Sequence, residues 1–300
     1  MRILLFLLTN AAVLLLISIL FHVFGLGQYL HQSGVPISLD NLLLSSAVIG
    51  MSGSFISLMM SKWMAKQSMG VYVIQQPSNQ TEQWLLETVQ RQARRKGIGM
   101  PEVGMFDSPE PNAFATGMSR NNALVAVSTG LLQRMNSDEV EAVLGHEMSH
   151  VANGDMVTMG LLQGVVNTFV YFFATIAGYV VDRVLLRSGD DERSGYGPGY
   201  YITQIVAQIV LSIFATMIVM WFSRWREFRA DAGGADVAGR EKMIGALRAL
   251  QRAHEHQDLP GEMAAFGISG GMASGLQKLF MSHPPLDERI AALQANRQIR

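Results

Sequence analysis

Four long apolar runs most constrain what this 300-residue chain can fold into. They cover residues 3–24, 41–60, 156–186 and 201–222. Because about 20 residues of helix cross a hydrocarbon core, each run is long enough to span a membrane. The composition agrees, since 49% of the residues are hydrophobic and only 16% are charged. We therefore predict a mainly α membrane protein with four transmembrane helices.

Three of these runs have an alternative interpretation. Run 3–24 follows Arg2, as a signal peptide would, but it is long and lacks a small-x-small cleavage site, so we favour a retained anchor. The third and fourth runs are typical of a hairpin, joined by a glycine-rich, mobile loop at 188–200. The alternative is a hairpin that packs partly on the protein and does not fully cross.

The distribution of Lys and Arg predicts how the chain is oriented. Loop 25–40 has neither residue, whereas Lys62 and Lys66 follow the second run. Cytoplasmic loops carry an excess of these residues. We therefore place the N-terminus and everything after Lys62 on the cytoplasmic side. Within the second run, Gly50 and its small neighbours suit close helix packing in the lipid bilayer.

The segment between the second and third runs has helix and strand signals typical of a soluble domain. Short strand patterns occur at Glu102–Phe106, 113–116 and 123–128. Two helices are predicted to begin at capping boxes, the first ending at Gly97 and the second near Gly154. The capping pairs are Asn79 with Glu82 and Asn136 with Glu139.

One of the strands is a candidate for substrate binding. An exposed edge strand can hold an extended peptide by main-chain hydrogen bonds, with little regard to its sequence. We assign this role to Asn112, Ala113 and Phe114. An ordinary interior strand is the equal alternative.

The second of the two helices carries His146, Glu147 and His150 in the pattern H-E-x-x-H. Helix positions i and i+4 differ by about 40° of rotation, so both imidazoles leave one face. Their ring nitrogens can then reach a single Zn²⁺ at about 2.0–2.1 Å. Glu147 lies beside the metal, where it can take a proton from the water that attacks a peptide carbonyl. The pattern recurs by chance, but His is scarce here, so we predict one zinc ion per chain.

Composition excludes several other chemistries. The chain has no cysteine, which excludes disulfides, thiolate nucleophiles and Cys-based zinc sites. A net charge of −1 gives no electrostatic case for nucleic acid, and we expect no nucleotide either. Any metal must therefore be bound by His and carboxylate groups.

A catalytic zinc site needs a third protein ligand. The metzincin pattern would place Gly at 153 and His at 156, where this chain has Asn153 and Met156. The remaining common option is a downstream Glu, and Glu227 follows the fourth apolar run. The alternative is a juxtamembrane Glu paired with a neighbouring Arg. A hairpin that leaves and re-enters the membrane would bring its ends together, which favours Glu227 as a ligand.

Asp231 lies one turn after Glu227 on the same helix face. Ligating imidazoles usually donate their other N–H to such a carboxylate. We therefore predict that Asp231 supports one of the two histidine ligands.

Taken together, these motifs resemble the M48 membrane metalloproteases. The resemblance covers essentially the whole chain, and 163–169 is similar to the bacterial heat-shock members of that family. The residues that carry it are His146-Glu147-x-x-His150-x-x-Asn153-Gly154-Asp155, Asn112-Ala113-Phe114, Glu227-x-x-Ala230-Asp231, and Ser282-His283-Pro284-Pro285 with Arg289.

The resemblance implies a zinc endopeptidase of the bacterial cytoplasmic membrane, with an α+β gluzincin-type domain and its active site in the cytosol. It implies quality control, in which misfolded or damaged membrane proteins and unfolded polypeptides are cut without ATP. It also implies that His283 and Arg289 lie near the active site and help bind substrate or steady the oxyanion. The alternatives are a turn residue for His283 and a solvated helix charge for Arg289.

The implied domains follow the apolar runs. Residues 1–66 form an N-terminal membrane region and 155–222 a transmembrane hairpin, while 67–154 and 223–300 are the two parts of the catalytic domain. Two other functions stay open. One is a specific processing peptidase, like related enzymes that trim prenylated peptides. The other is a membrane scaffold with an inert zinc site, although a closed site would need a fourth ligand, and no nearby His or Cys offers one.

Overall fold

The computed structural model describes residues 38–186, 196–255 and 281–295, with a few isolated positions before residue 38. The predicted first span at 3–24 and most of the predicted loop at 188–200 lie outside the described residues. The described part is mostly helical, with one small sheet.

The chain divides into two compact units. The first unit comprises the described residues up to Ser57 together with Thr158–Val219. The second unit comprises Leu58–Val157 and the described residues from Met220 onward. In chain order the elements are α1 (Leu39–Ser68), β1 (Tyr72–Val73), α2 (Gln80–Lys96), β2 (Glu102–Phe106), β3 (Ala113–Ser119), β4 (Asn122–Ser128), α3 (Thr129–Arg134), α4 (Ser137–Asn153), α5 (Asp155–Val180), α6 (Pro198–Ala238), α7 (Arg240–Glu255) and α8 (Leu286–Gln294).

Three helices among the described residues are long and apolar enough to cross a membrane. They are α1, α5 with a π-helical turn that extends it to Leu185, and α6. With 41 residues, α6 is about 60 Å long, twice the roughly 30 Å of a hydrocarbon core. It therefore continues well beyond the predicted run at 201–222, and its last turns carry Glu227 and Asp231.

Small residues bring α1 and α5 close together within the first unit, as the sequence predicts for Gly50. A Cβ atom placed on Gly50 would lie 2.6 Å from Oγ1 of Thr168 and 2.8 Å from the carbonyl oxygen of Gly164. Any side chain here would therefore push the two helices apart.

The sheet of the second unit has the strand order β1-β2-β4-β3. Strands β2 and β4 are parallel, with Val103 opposite Val125, and the other two pairs are antiparallel. The three predicted strands are confirmed, and β3 and β4 are each longer than predicted. Because β3 is at one end of the order, the segment that begins at Ala113 is an edge strand of the described sheet.

The first residues of α2 differ slightly from the predicted capping box. Asn79 accepts the N–H of Glu82 at 2.8 Å, as expected. The carboxylate of Glu82, however, accepts the N–H of Ser78 at 2.8 Å and not that of Asn79. The helix begins where predicted because one side of the box is enough to cap it, and it ends at Gly97 as expected.

Helix α4 has both caps that the sequence predicts. Asn136 and Glu139 form a complete capping box at its start. Gly154 ends it with φ 71°, a left-handed conformation that glycine adopts without strain. One side of α4 is held in the core by Leu144 and Met148, which are fully buried. The helix that carries H-E-x-x-H is therefore fixed at both ends and along its length.

Candidate metal centre

Three predicted ligand side chains meet at one point in the second unit. The Nε2 atoms of His146 and His150 are 3.2 Å apart. The carboxylate of Glu227 lies 3.5 Å from Nε2 of His146 and 3.3 Å from Nε2 of His150. Ligands about 2.0–2.1 Å from a tetrahedral ion lie about 3.3–3.4 Å from one another. The three groups therefore have the spacing that a small tetrahedral metal ion requires.

The electrostatics of this cluster favour a cation. Glu227 is only 1% exposed, and a buried carboxylate is stable only when positive charge or donors surround it. Burial alone would lower the pKa of His146, but hydrogen bonds to Asp231 and Glu227 outweigh it and raise the pKa to about 9. The pKa of His150 is also raised, because bonds to Asp155 and Glu227 outweigh its burial. The negative charge of these carboxylates also attracts a metal cation.

His146 is oriented by a buried ion pair. Its Nδ1 lies 2.9 Å from Oδ1 of Asp231, the contact that the sequence predicts for this carboxylate. Arg289 in turn donates to Asp231 through Nε at 2.8 Å and Nη2 at 2.6 Å. Arg289 is 6% exposed, so it is not the solvated helix charge of the alternative interpretation. The fork-shaped pair holds the Asp231 carboxylate against the imidazole.

His150 is oriented by a residue to which the sequence analysis gave no role. Its Nδ1 lies 2.7 Å from Oδ2 of Asp155, the first residue of α5. Asp155 is 3% exposed. A signal was present in the sequence, because this carboxylate directly follows Gly154, the predicted end of α4, and is only five residues from His150.

His283 lies at the edge of the cluster. Its Nδ1 is 2.8 Å from Oε2 of Glu227, and its side chain is 62% exposed. It therefore contacts a candidate metal ligand on one side and solvent on the other.

A cavity of about 530 Å³ adjoins the cluster. It is lined by the predicted base Glu147 and by Asn112 and Ala113 at the start of β3. Phe114 is not part of the lining, and its ring packs on Phe106 with centroids 5.6 Å apart. The structure thus brings the base and the start of the edge strand to one cavity.

In the described part of the chain, β3 pairs with β4 on one side and has no strand partner on the other. Ser128 donates its N–H to the carbonyl of Asn112 at 2.8 Å. Hydrogen-bonded and non-hydrogen-bonded pairs alternate along an antiparallel ladder. The main-chain groups of Ala113 and Ala115 therefore point away from β4.

With this geometry in view, comparisons with known proteins decide the family. Residues 79–297 match the model of the family described as Peptidase family M48. The chain belongs to peptidase family M48. It is 64% identical to Protease HtpX of Thioalkalivibrio sulfidiphilus over 98% of both chains. It is 60% identical to a Protease HtpX homolog of Nitrosomonas europaea over 98% of this chain and 99% of that one.

The fold of this M48 chain also resembles a solved structure, that of S. mikatae Ste24p. The TM-score is 0.62 at 17% identity, and the match covers 92% of this chain and 64% of that chain. The family match over residues 79–297 and the HtpX relatives confirm the predicted family. Family membership and three apolar helices make the protein a membrane metalloprotease, with a cluster of side chains that could hold its metal ion.

Proposed function

We propose that this M48 protein is a zinc endopeptidase of a bacterial inner membrane that cuts misfolded or damaged membrane proteins in quality control. The observation that carries the proposal is the set of distances, 3.2 to 3.5 Å, between the donor groups of His146, His150 and Glu227. Two imidazoles and one carboxylate, with an open fourth position, suit zinc. Calcium takes six to eight oxygen ligands at about 2.3–2.6 Å, which this cluster does not offer.

Zinc at this position would polarise the scissile carbonyl and lower the pKa of the attacking water. The protein's own groups do the rest. Asp231 and Asp155 accept from the Nδ1 atoms of His146 and His150, which leaves each Nε2 lone pair free for the metal. Glu147 takes the proton of the attacking water and passes it to the leaving amine.

His283 is our candidate for a second donor to the developing oxyanion. It lines the cavity, is largely exposed, and lies within hydrogen-bond distance of Glu227. Its Nδ1 atom is the one that faces Glu227, so Nε2 is the ring nitrogen left for a contact with substrate.

The substrate main chain binds beside β3 in this proposal. The outward-facing groups of Ala113 and Ala115 would pair with an extended peptide, which places it in the cavity beside Glu147. Recognition through the main chain reads little of the sequence. This suits an enzyme that acts on many unfolded polypeptides.

The decisive experiment separates metal binding from proton transfer. Glu147→Gln should keep bound zinc but lose about 10²–10⁴-fold in the cleavage rate of an unfolded substrate such as casein. Glu227→Ala should lose zinc. Zinc content is measured by mass spectrometry on protein in detergent. Glu141→Gln is the matched control, because it lies on the same helix outside the cavity and should change neither quantity. Retained turnover in Glu147→Gln, or unchanged zinc in Glu227→Ala, contradicts the assignment.

We further propose four spans with the site on the cytosolic side, supported by the three apolar helices and by Lys62 and Lys66 after the second run. The chain has no cysteine, so a single probe is easily introduced. Glu87→Cys, at an exposed position of α2, should react with a membrane-impermeant maleimide only after cells are permeabilised. Labelling of intact cells would contradict the orientation.

A further inference from the structure

At one end of the second unit, the sheet is tied to the last turns of the apolar helix α1. Lys62 lies just after the apolar run of this helix. Its Nζ is 2.8 Å from the side-chain oxygen of Asn122, at the start of β4, and 2.8 Å from Glu102, at the start of β2. Lys66 pairs with the same Glu102 at 2.5 Å. The strands therefore begin beside the end of a helix that is long enough to cross a membrane.

The turn between β3 and β4 lies at the same end of the unit. Asn121 in this turn accepts the N–H of Gly99, from the loop after α2, at 2.9 Å. Arg120 reaches the junction of α4 and α5, where its Nε is 3.6 Å from the position of a Cβ atom on Gly154. All of these residues belong to Leu58–Val157, within one unit. The turn is thus placed between the end of α1 and the start of α5, a second helix long enough to cross a membrane.

The end of α1 sets the level of the bilayer surface. Its apolar run stops just before Lys62, and the neighbouring Trp63 is 59% exposed. Trp is enriched at membrane–water interfaces. The headgroup layer on each side of the hydrocarbon core is about 5–7 Å thick, which a lysine side chain can cross. The groups that Lys62 contacts, and the β3–β4 turn with them, therefore lie at the depth of the lipid headgroups.

The side chains at this depth combine apolar and basic groups. Met100, in the loop after α2, is 43% exposed, and Met118, next to the β3–β4 turn, is 38% exposed. Arg94 is exposed in the last turn of α2. We refer to six side chains as the headgroup face: Lys62, Lys66, Arg94, Met100, Met118 and Arg120.

The charge of the headgroup face selects its partner. Its four basic side chains outnumber Glu102, the carboxylate that both lysines share. Lys96 adds little, because it pairs with Asp236 at 3.5 Å. Basic residues beside a membrane helix attract anionic lipids, and apolar side chains at the interface add binding by burial. Both properties match the surface of an anionic bilayer.

We propose that the headgroup face binds anionic phospholipid, with Arg94 and Arg120 beside the phosphates and with Met100 and Met118 against the upper acyl chains. This contact needs neither a metal ion nor cleavage, so it goes beyond the proposed function. Strand β3 leads from this face to the cavity that adjoins the metal cluster, and its seven residues span at most about 23 Å. Bound lipid would therefore hold the cavity within that distance of the bilayer.

Quenching by labelled lipid tests the contact on the full-length protein. The chain has no cysteine, so Met118→Cys and Met100→Cys each accept one fluorophore. The protein is placed in nanodiscs that contain phosphatidylcholine with a nitroxide just below the headgroup, which quenches only at short range. Fluorescence should fall at both positions. Gln83→Cys is the matched control and should not be quenched, because it is exposed on α2 about 20 Å before the end of that helix.

A second comparison tests the class of lipid. Nanodiscs of equal parts phosphatidylglycerol and phosphatidylcholine carry the nitroxide on one lipid or on the other. A basic side chain near an anionic surface contributes about fivefold in affinity, so labelled phosphatidylglycerol should quench position 118 at least about twofold more strongly. Arg94→Glu combined with Arg120→Glu should remove this difference. Arg134→Glu is the matched control, because this exposed arginine ends α3 beside the start of α4.

Each result decides for or against the headgroup face. Equal quenching at positions 118 and 83 overturns the contact. Equal quenching by the two lipids overturns the preference for anionic headgroups and the proposal with it, as does a difference that Arg134→Glu removes as fully as the paired substitutions. If the paired variant fails to fold, the comparison of the two lipids without it still decides. Zinc-dependent cleavage is measured separately, so failure here leaves the proposed function standing.

Discussion

The two histidines of the candidate metal site are held in different ways. His146 depends on Asp231 of α6, which is itself held by Arg289 of α8, so its orientation requires three helices to be in place. His150 depends on Asp155, only five residues further along the chain. One imidazole is therefore positioned by tertiary packing and the other by a contact that is local in the chain. Removing the two supports should have different consequences, and four substitutions test the difference.

The largest effect is expected for Asp231→Asn. This change removes the two close bonds of the buried Arg289 charge and leaves it a longer contact of 3.5 Å with Glu227. Breaking a buried pair costs about 3–5 kcal/mol of unfolding free energy. It should lower the melting temperature markedly and weaken zinc binding. Thermal unfolding and zinc competition with a coloured chelator measure the two effects. Adding Arg289→Met should restore much of the stability but not the zinc affinity, and no rescue would contradict the pairing.

Arg289→Lys should have the next largest effect. Lys keeps the charge but cannot form the two-pronged bond to Asp231. Losing one hydrogen bond between charged groups costs about 1.5–3 kcal/mol. The melting temperature should therefore fall less than in Asp231→Asn. If the two variants are equally destabilised, charge alone does not explain how His146 is held.

Asp155→Asn should change metal binding with little change in stability. Loss of a carboxylate that orients a ligating imidazole typically reduces metal affinity 10–100-fold. Because the partner of Asp155 is the His150 imidazole and not a buried guanidinium, the metal-free protein should lose less stability than Asp231→Asn does. Destabilisation as large as that of Asp231→Asn would remove the contrast between the two supports.

The smallest effect is expected on the outer side of α4, near its first turn. Lys242 lies 2.8 Å from Asp138 and 2.6 Å from Glu141, in partly exposed ion pairs. Exposed ion pairs contribute about 1 kcal/mol or less. Lys242→Ala should therefore change stability slightly and leave zinc affinity unchanged. A change in zinc affinity would mean that metal binding depends on the whole of α4, and not only on the face that carries His146 and His150.

What the sequence could predict of the fold and the site follows the same contrast between local and long-range contacts. Local signals were sufficient for the ends of α4, because Asn136 and Gly154 act on their own neighbours in the chain. The two histidines of H-E-x-x-H needed only helical periodicity. The partner of Arg289 is 58 residues away, and only the packing of α8 brings them together. No local pattern reports that contact.

The sheet gives a second example. Short strand patterns predicted the strands, but strand order depends on the parallel pairing of β2 with β4, which local patterns do not specify. The sequence therefore left Asn112 to Phe114 as either an edge or an interior strand. Asp155 was missed for another reason. In the sequence, an acidic residue at this position is already explained as the start of a helix, and only the structure shows that it lies beside His150.

The exposed edge of β3 has a consequence for how substrates would be chosen. Its outward main-chain groups can pair only with a backbone whose own amides are unpaired, and in folded proteins nearly all buried amides are paired. A substrate segment must therefore open before it binds. When opening is fast relative to cutting, the rate follows the population of the open form, so about 1.4 kcal/mol of lost local stability gives about tenfold faster cleavage. With an edge strand used in this way, a membrane protein of lower thermodynamic stability would have a shorter lifetime.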